Sequence, residues 1–388
     1  MAAYIQMGHA SESLIVDPGL QSFEGIVLSP VNRSPEQLKE DVQEFRSKGQ
    51  FDVILDPQLY YPRNQRRHLP SQPYFPNDFD TADFSSVDSW RRLGGKVALY
   101  SRELKVDAAC SPAVIPNRWT SDYYSYCIES FCALRSELKD GDPRPIFTLS
   151  VRLKELSDPN DAFRIASMVT TCQPESCYLV VEAELEPRRE IKEADNIASL
   201  MVLIAALQRS GCSVLVSHCS SEMILLKAAG ASACATGKFF NLRRFTPGRF
   251  DDEEDGGRLI PYWFEHSLLA FLREADIARI RRNVNPDFIG QADSGNIYGQ
   301  QILTQFIDEP GKPWVGLSWR QYLAWFAAVE GRLSGREAPT IVDRWLREAE
   351  QRWLELEDKG ALLEEIRNDG SWVRRWRQAL SDFLRVEY

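Results

Sequence analysis

Between residues 23 and 234 the chain repeats one pattern: a short run of consecutive apolar residues, then a stretch in which apolar positions return every three or four residues. The apolar runs lie at 23–29, 51–56, 107–115, 145–152, 177–183, 212–217 and 231–236. They are continuous rather than alternating, which is how parallel strands covered on both faces look in sequence. The intervening stretches predict helices at 34–48, 87–93, 121–138, 160–170, 194–209 and 221–229. The first is the best marked: Ser34 is an N-cap, Pro35 suits the first turn, Gln37 stands at the capping-box position and Gly49 stops it. Helical connections are what right-handed crossovers between parallel strands require. Residues 4–8 add a strand in front and bring the total to eight. The segment 10–21 that follows it is short and contains Pro18 and Gly19, so no helix is expected there.

Past residue 236 the pattern changes. Residues 239–250 are aromatic and basic, 251–257 form an acidic turn, and 259–282 read as helical. Residues 283–313 are rich in Gly, Asn, Gln and Pro and read as a linker or draped loop. Three amphipathic helices are expected at 318–333, 340–358 and 361–386.

This succession resembles the (β/α)8 barrel superfold over roughly the first 270 residues. The expected fold class is α/β: a (β/α)8-type barrel, irregular at its first unit, with a C-terminal helical extension. The expected organisation is a barrel over 1–282, closed by the helical stretch 259–282, a linker over 283–313 and a tryptophan-rich extension over 314–388. An open doubly wound sheet is the rival architecture. The resemblance extends to no particular family, and a superfold does not determine function.

Composition narrows the class. The 388 residues fit one barrel plus an appendage, or two domains. Hydrophobic residues at 44% and charged residues at 26% are ordinary for a globular chain. The longest apolar run, 197–207, is too short to span a bilayer, and the N-terminus carries no secretory pattern. Eight cysteines, none in a CxxC pair, read as reduced buried thiols of a cytoplasmic protein rather than a zinc or disulfide framework. A net charge of −10 argues against nonspecific coating of nucleic acid, although local basic patches remain.

In a barrel the chemistry lies at the C-terminal ends of the strands, which selects candidates by position. Two of the four histidines, His9 and His218, fall there, after the first and seventh strands. These strands flank the eighth, so the imidazoles are expected near one another and suited to proton transfer near neutral pH. Asp56 and Glu182 are the paired-carboxylate candidates for acid, base or nucleophile, as in glycosyl transfer. Arg152, on the strand before Glu182, is the expected counter-charge, since an unpaired buried carboxylate is costly. No HxH or HExxH motif marks a metal site, and no cofactor motif is present. Metal-dependent hydrolysis through His9, His218, Asp56 and Glu182 is the weakest option.

Thr236-Gly237-Lys238 follows the last strand, where barrels often bind phosphate through backbone N–H groups. Lys238, Arg243 and Arg244 add positive charge nearby, with Arg249 beyond them. A second basic–aromatic stretch, with Tyr60, Tyr61, Arg63, Arg66, Arg67 and Tyr74, follows the third strand. Guanidinium groups hold phosphate and rings stack on bases, so the two loops together suit a phosphate-bearing small molecule, a nucleotide or single-stranded nucleic acid. Alternatively the rings pin each loop to the barrel. The extension carries Trp372 and Trp376 among its tryptophans, which mark either a bundle core or a docking surface for a protein partner. The sequence thus supports an enzyme or binding protein for a phosphate-bearing ligand, or else a non-enzymatic scaffold in an assembly.

Overall fold

Eight parallel strands pair in chain order and the first pairs with the last, which closes a barrel. A computed structural model describes residues 2–49, 51–77, 80–250, 260–309, 311–361, 363 and 368–387. The strands are β1 (Ala2–Gln6), β2 (Phe23–Leu28), β3 (Asp52–Leu55), β4 (Ala108–Cys110), β5 (Arg144–Arg152), β6 (Ser176–Glu182), β7 (Ser213–Val216) and β8 (Ala233–Thr236). Closure is explicit in the register of β1 on β8, from Ala2 opposite Ala233 to Ile5 opposite Thr236. The open doubly wound alternative is therefore excluded, and the fold is a (β/α)8 barrel.

The crossover helices are α1 (Glu12–Ile15), α2 (Pro35–Lys48), α3 (Val87–Leu104), α4 (Ser121–Glu137), α5 (Pro159–Val169), α6 (Ala194–Arg209) and α7 (Met223–Ala228). No helix is expected between β1 and β2; the first unit instead carries the four-residue α1 and a single 3-10 turn at Pro18–Leu20, with Pro18 at its N-terminal position. The capping box of α2 is formed: Ser34 Oγ accepts from the Gln37 amide and Gln37 Oε1 accepts from the Ser34 amide at 2.9 Å. Helix α3 runs well past the expected 87–93, straight through Gly94-Gly95. Gly94 is not a stop signal. It is where α3 crosses α4, and a Cβ there would lie 2.2 Å from the Ser130 carbonyl oxygen.

The greatest departure lies after β8. The stretch expected to be helical over 259–282, and to close the barrel, begins with a hairpin, β9 (Trp263–Glu265) and β10 (Ala270–Leu272). Helix α8 (Glu274–Asn283) follows. Closure is made by β1 and β8 alone, so no later helix is needed for it. The stretch 283–313 carries α9 (Ile297–Asp308), whose N-terminus is capped by the Asn296 side chain on the Gly299 amide. The acidic turn at 251–257 lies outside the described residues.

The extension consists of α10 (Val315–Arg332), α11 (Ala338–Asp358) and α12 (Ser371–Glu387), and it packs on the barrel. Trp376 is fully buried and donates its indole N–H to the Ile191 carbonyl at 2.8 Å, just ahead of α6. Trp372 is buried edge-on to Trp353. Lys227 of α7 and Glu330 of α10 form a buried ion pair at 2.7 Å. No described helix is long and apolar enough to cross a membrane.

Inside the barrel, Val27, Ile54, Cys110, Ile146, Tyr178 and Leu215 form the core. Its N-terminal end is plugged by Tyr4, whose hydroxyl donates to Asp52 at 2.7 Å while Arg144 holds the other oxygen at 2.6 Å. Gly25 is required beside this plug, because a Cβ there would lie 2.0 Å from the Tyr4 ring. The other end, the C-terminal mouth, is where the candidate residues gather.

Candidate active site at the barrel mouth

Two carboxylates stand at the mouth, and both are held by tyrosines. Asp56, directly after β3, is buried. It accepts from the Tyr60 hydroxyl and the Gln58 amide, each at 3.0 Å, and from Tyr178 at 3.4 Å. Burial and the Asp56 charge raise the Tyr60 phenol well above its usual range, so Tyr60 is a neutral donor. Glu182 closes β6, opposite Arg152 of β5 in the ladder. Its oxygens accept from Arg152 Nε at 2.5 Å and the Tyr61 hydroxyl at 2.6 Å. The expected Arg152–Glu182 pair is thus formed, and the guanidinium also lies over the Trp119 ring. Glu184 is half-exposed and pairs with Lys154.

The loop after β8 folds back across the mouth. Phe245 bridges to β6, with its carbonyl accepting from the Ala183 amide at 3.0 Å. Its ring is fully buried, with its centroid 4.9 Å from that of Tyr60 and 5.3 Å from that of His218. Phe245 fills the centre of the mouth, and neither Asp56 nor Glu182 lines a cavity there.

To one side of Phe245 a cavity of about 220 Å³ remains. His9 and His218, expected together from strand order, both line it. Arg66 and Arg67 from the loop after β3, together with Asn32 and Asn241, complete its polar wall. His9 is exposed and His218 is buried. His218 has a φ of +52°, a left-handed conformation that costs a non-glycine residue about 1 kcal/mol or more. Its neighbours hold it there: Ser217 donates its amide to Leu179 of β6 and Cys219 donates to Ala235 of β8. Arg67 donates to Asn32 Oδ1 at 2.8 Å.

The three cations after β8 are placed differently. Lys238 is buried, donates to the Ala10 carbonyl at 2.5 Å, and lies over the rings of Phe239 and Trp319. Burial lowers its pKa. Arg243 is buried over Tyr322 of α10 at 3.7 Å and donates to the carbonyls of Gly237 and Lys238. Burial pushes its pKa down to about 10. Gly237 itself is packed too tightly for a side chain: a Cβ would lie 2.5 Å from Leu242 and 2.8 Å from the Gln6 carbonyl. Arg244 is buried between Glu190 and Glu222, at 3.3 and 3.2 Å. Burial raises Glu190 to about 7, against the attraction of Arg244. Lys238 and Arg243, with Arg188, border a second, smaller cavity of about 190 Å³ beside Trp319. These cations therefore do not join the histidines in the mouth cavity.

Strand-end logic found His9 and His218, but it skipped β2, after which Asn32 reaches the cavity. Glu190 and Glu222 were also missed. Each lies in a loop or turn whose approach to Arg244 depends on the return of the β8 loop. Among the described residues no group of three or more His, Cys, Asp or Glu side chains is arranged to hold a metal ion. Trp372 and Trp376 sit inside the joint between extension and barrel.

No protein-family model matches the chain, and no curated relative matches it. Solved structures similar to it include type I 3-dehydroquinate dehydratase from Clostridium difficile, at 8% identity over 64% of this chain and 88% of that one, with a TM-score of 0.36. Dihydrodipicolinate synthase from Bacillus clausii is similar at 12% identity over 100% and 97% of the two chains, with a TM-score of 0.35. An O-GlcNAc hydrolase mutant from Thermobaculum terrenum is similar at 11% identity over 100% and 96%, with a TM-score of 0.39. At TM-scores this low the likenesses carry no argument about site or reaction.

Proposed function

We propose that the barrel mouth binds a small phosphate-bearing molecule in the cavity between His9, His218, Arg66 and Arg67, and that the imidazoles move protons on it. One observation carries this. In a chain of net charge −10, the cavity at the strand ends is lined by two imidazoles and two guanidinium groups, with no carboxylate among the described residues. An anion is the ligand such a wall favours, and guanidinium groups match phosphate geometry.

The cavity's size, about 220 Å³, suits a phosphate with a small organic group better than a nucleic-acid strand. A strand-binding groove would also need the β8 loop, whose cations are turned inward. Imidazoles at the cavity suit proton transfer near neutral pH. Proton transfer is assigned to them because Asp56 and Glu182 do not line the cavity. Asp56 has a positioning role: it holds the hydroxyl of Tyr60, which does line it.

The test is calorimetric titration with inorganic phosphate and a panel of small phosphomonoesters. Binding is expected in the wild type, and Arg66→Ala with Arg67→Ala is expected to weaken it at least about tenfold. Equal affinity in the double variant would falsify the assignment. For any phosphomonoester that is turned over, His218→Ala is expected to lower kcat by about a hundredfold or more.

A further inference from the structure

The cavity that holds the histidines has a larger neighbour at the mouth. A cavity of about 510 Å³ lies over the ends of β3 and β4, on the far side of Tyr60. Its wall is aromatic and includes Tyr61, Phe84, Trp90 and Tyr126. The rings of Trp90 and Tyr126 are parallel within 4°, with centroids 6.2 Å apart. The polar ends of these side chains are occupied. Trp90 Nε1 donates to the Phe84 carbonyl at 3.0 Å, the Tyr126 hydroxyl to the Ser85 carbonyl at 3.3 Å, and the Tyr61 hydroxyl to Glu182. What these side chains offer a ligand is therefore ring surface.

Charge supplies the second constraint. Arg63 and Arg118 both border this cavity and both are exposed. Neither forms an ion pair or hydrogen bond with a described residue, and no carboxylate among the described residues lines the cavity. Elsewhere the described arginines commonly find a carboxylate, as Arg33, Arg91, Arg144, Arg320 and Arg377 do. Two uncommitted guanidinium groups thus border one aromatic cavity in an acidic chain.

We infer that this aromatic cavity over β3 and β4 binds a planar aromatic ligand carrying an anionic group, with the ring among Tyr61, Phe84, Trp90 and Tyr126 and the anion at Arg63 and Arg118. Ring stacking and guanidinium recognition of an anion are the two interactions the wall provides. The volume lies in the range of small-molecule sites. A nucleoside monophosphate and an aromatic carboxylate share this chemistry, and the experiment separates them. The inference does not rest on the mouth site, which uses different arginines.

The test titrates the whole protein by calorimetry and tryptophan fluorescence with AMP, UMP and indole-3-acetate, and with the neutral counterparts adenosine, uridine and tryptophol. At least one anionic probe is expected to bind with Kd below about 1 mM, and its neutral counterpart about tenfold more weakly. Binding by the nucleotides identifies a nucleotide source; binding by indole-3-acetate alone identifies an aromatic acid. In Arg63→Ala with Arg118→Ala the affinity is expected to fall about tenfold or more, with folding intact because neither side chain has a partner to lose. In Arg66→Ala with Arg67→Ala it is expected to stay unchanged. Three results overturn the inference: no anionic probe binds, affinity survives in the Arg63/Arg118 variant, or affinity is lost only in the Arg66/Arg67 variant. The last places the ligand in the mouth cavity instead.

Discussion

The loops after β3 and β8 have nearly the same composition and opposite roles. Both mix arginine with aromatic residues, and both reach the same rim. The β3 loop contributes Arg66 and Arg67 to the mouth cavity, while the β8 loop contributes Phe239, Asn241, Leu242 and Phe245. The cations of the β8 loop are buried: Lys238, Arg243 and Arg244 each keep 5% or less of their surface. What separates the loops is the set of partners each one meets. The β8 loop lies beneath α10 and beside Glu190 and Glu222, which offer rings to Lys238 and Arg243 and carboxylates to Arg244. Arg66 is half-buried and Arg67 exposed, and both line the mouth cavity. Basic–aromatic composition thus marks a loop that has to be satisfied somewhere, not one that binds a ligand.

The comparison breaks most readily at Arg244. Arg244→Ala leaves Glu190 and Glu222 buried side by side without a counter-charge, and is expected to cost about 3–5 kcal/mol of stability in urea unfolding. A loss below about 1 kcal/mol would mean that the β8 loop is not held by its cations.

A pH effect belongs to the same loop. Burial raises Glu190 to about 7 from an ordinary 4.5, so the folded state favours its neutral form. That contribution is complete below about pH 4.5, where Glu190 is protonated folded or unfolded, and is lost as pH rises through about 7. Glu190→Gln keeps the neutral form at every pH. The melting temperature of the variant relative to wild type is therefore expected to rise by a few degrees between pH 5 and pH 8. A difference that stays flat across this range would remove Glu190 as the titrating group.

The smallest effect sharpens the contrast from the other side. Arg66→Ala with Arg67→Ala is expected to change stability by less than about 1 kcal/mol while weakening phosphate binding. A loss comparable to that of Arg244→Ala would make the two loops alike, both structural.

Much of this architecture was legible along the chain. Continuous apolar runs marked seven of the eight barrel strands, and Ser34, Gln37 and Gly49 marked a helix to within a residue, because caps and burial on both faces are local in cause. Strand-end positions placed His9 and His218 at one cavity, since strand order in a barrel fixes which ends are neighbours. The helix expected over 87–93 runs on to 104, and the need for Gly94 within it comes from a residue thirty-six positions away, where the Ser130 carbonyl approaches. The stretch before α8 misled for a similar reason: Phe264 belongs to a hairpin whose amide and carbonyl are both satisfied by Gln321 of α10.

The sequence by itself determined the barrel, the end of it at which the candidate residues gather, and the inventory of imidazoles, carboxylates and guanidinium groups available there. Those depend on periodicity and chain order, which any single stretch displays. The tertiary structure alone decided which charges are satisfied. It placed Phe245 between Tyr60 and His218, turned Lys238, Arg243 and Arg244 inward, and set Arg63, Arg66, Arg67 and Arg118 at the walls of cavities. The cost of burying a charge depends on what lies within a few ångströms of it, and those neighbours come from distant parts of the chain.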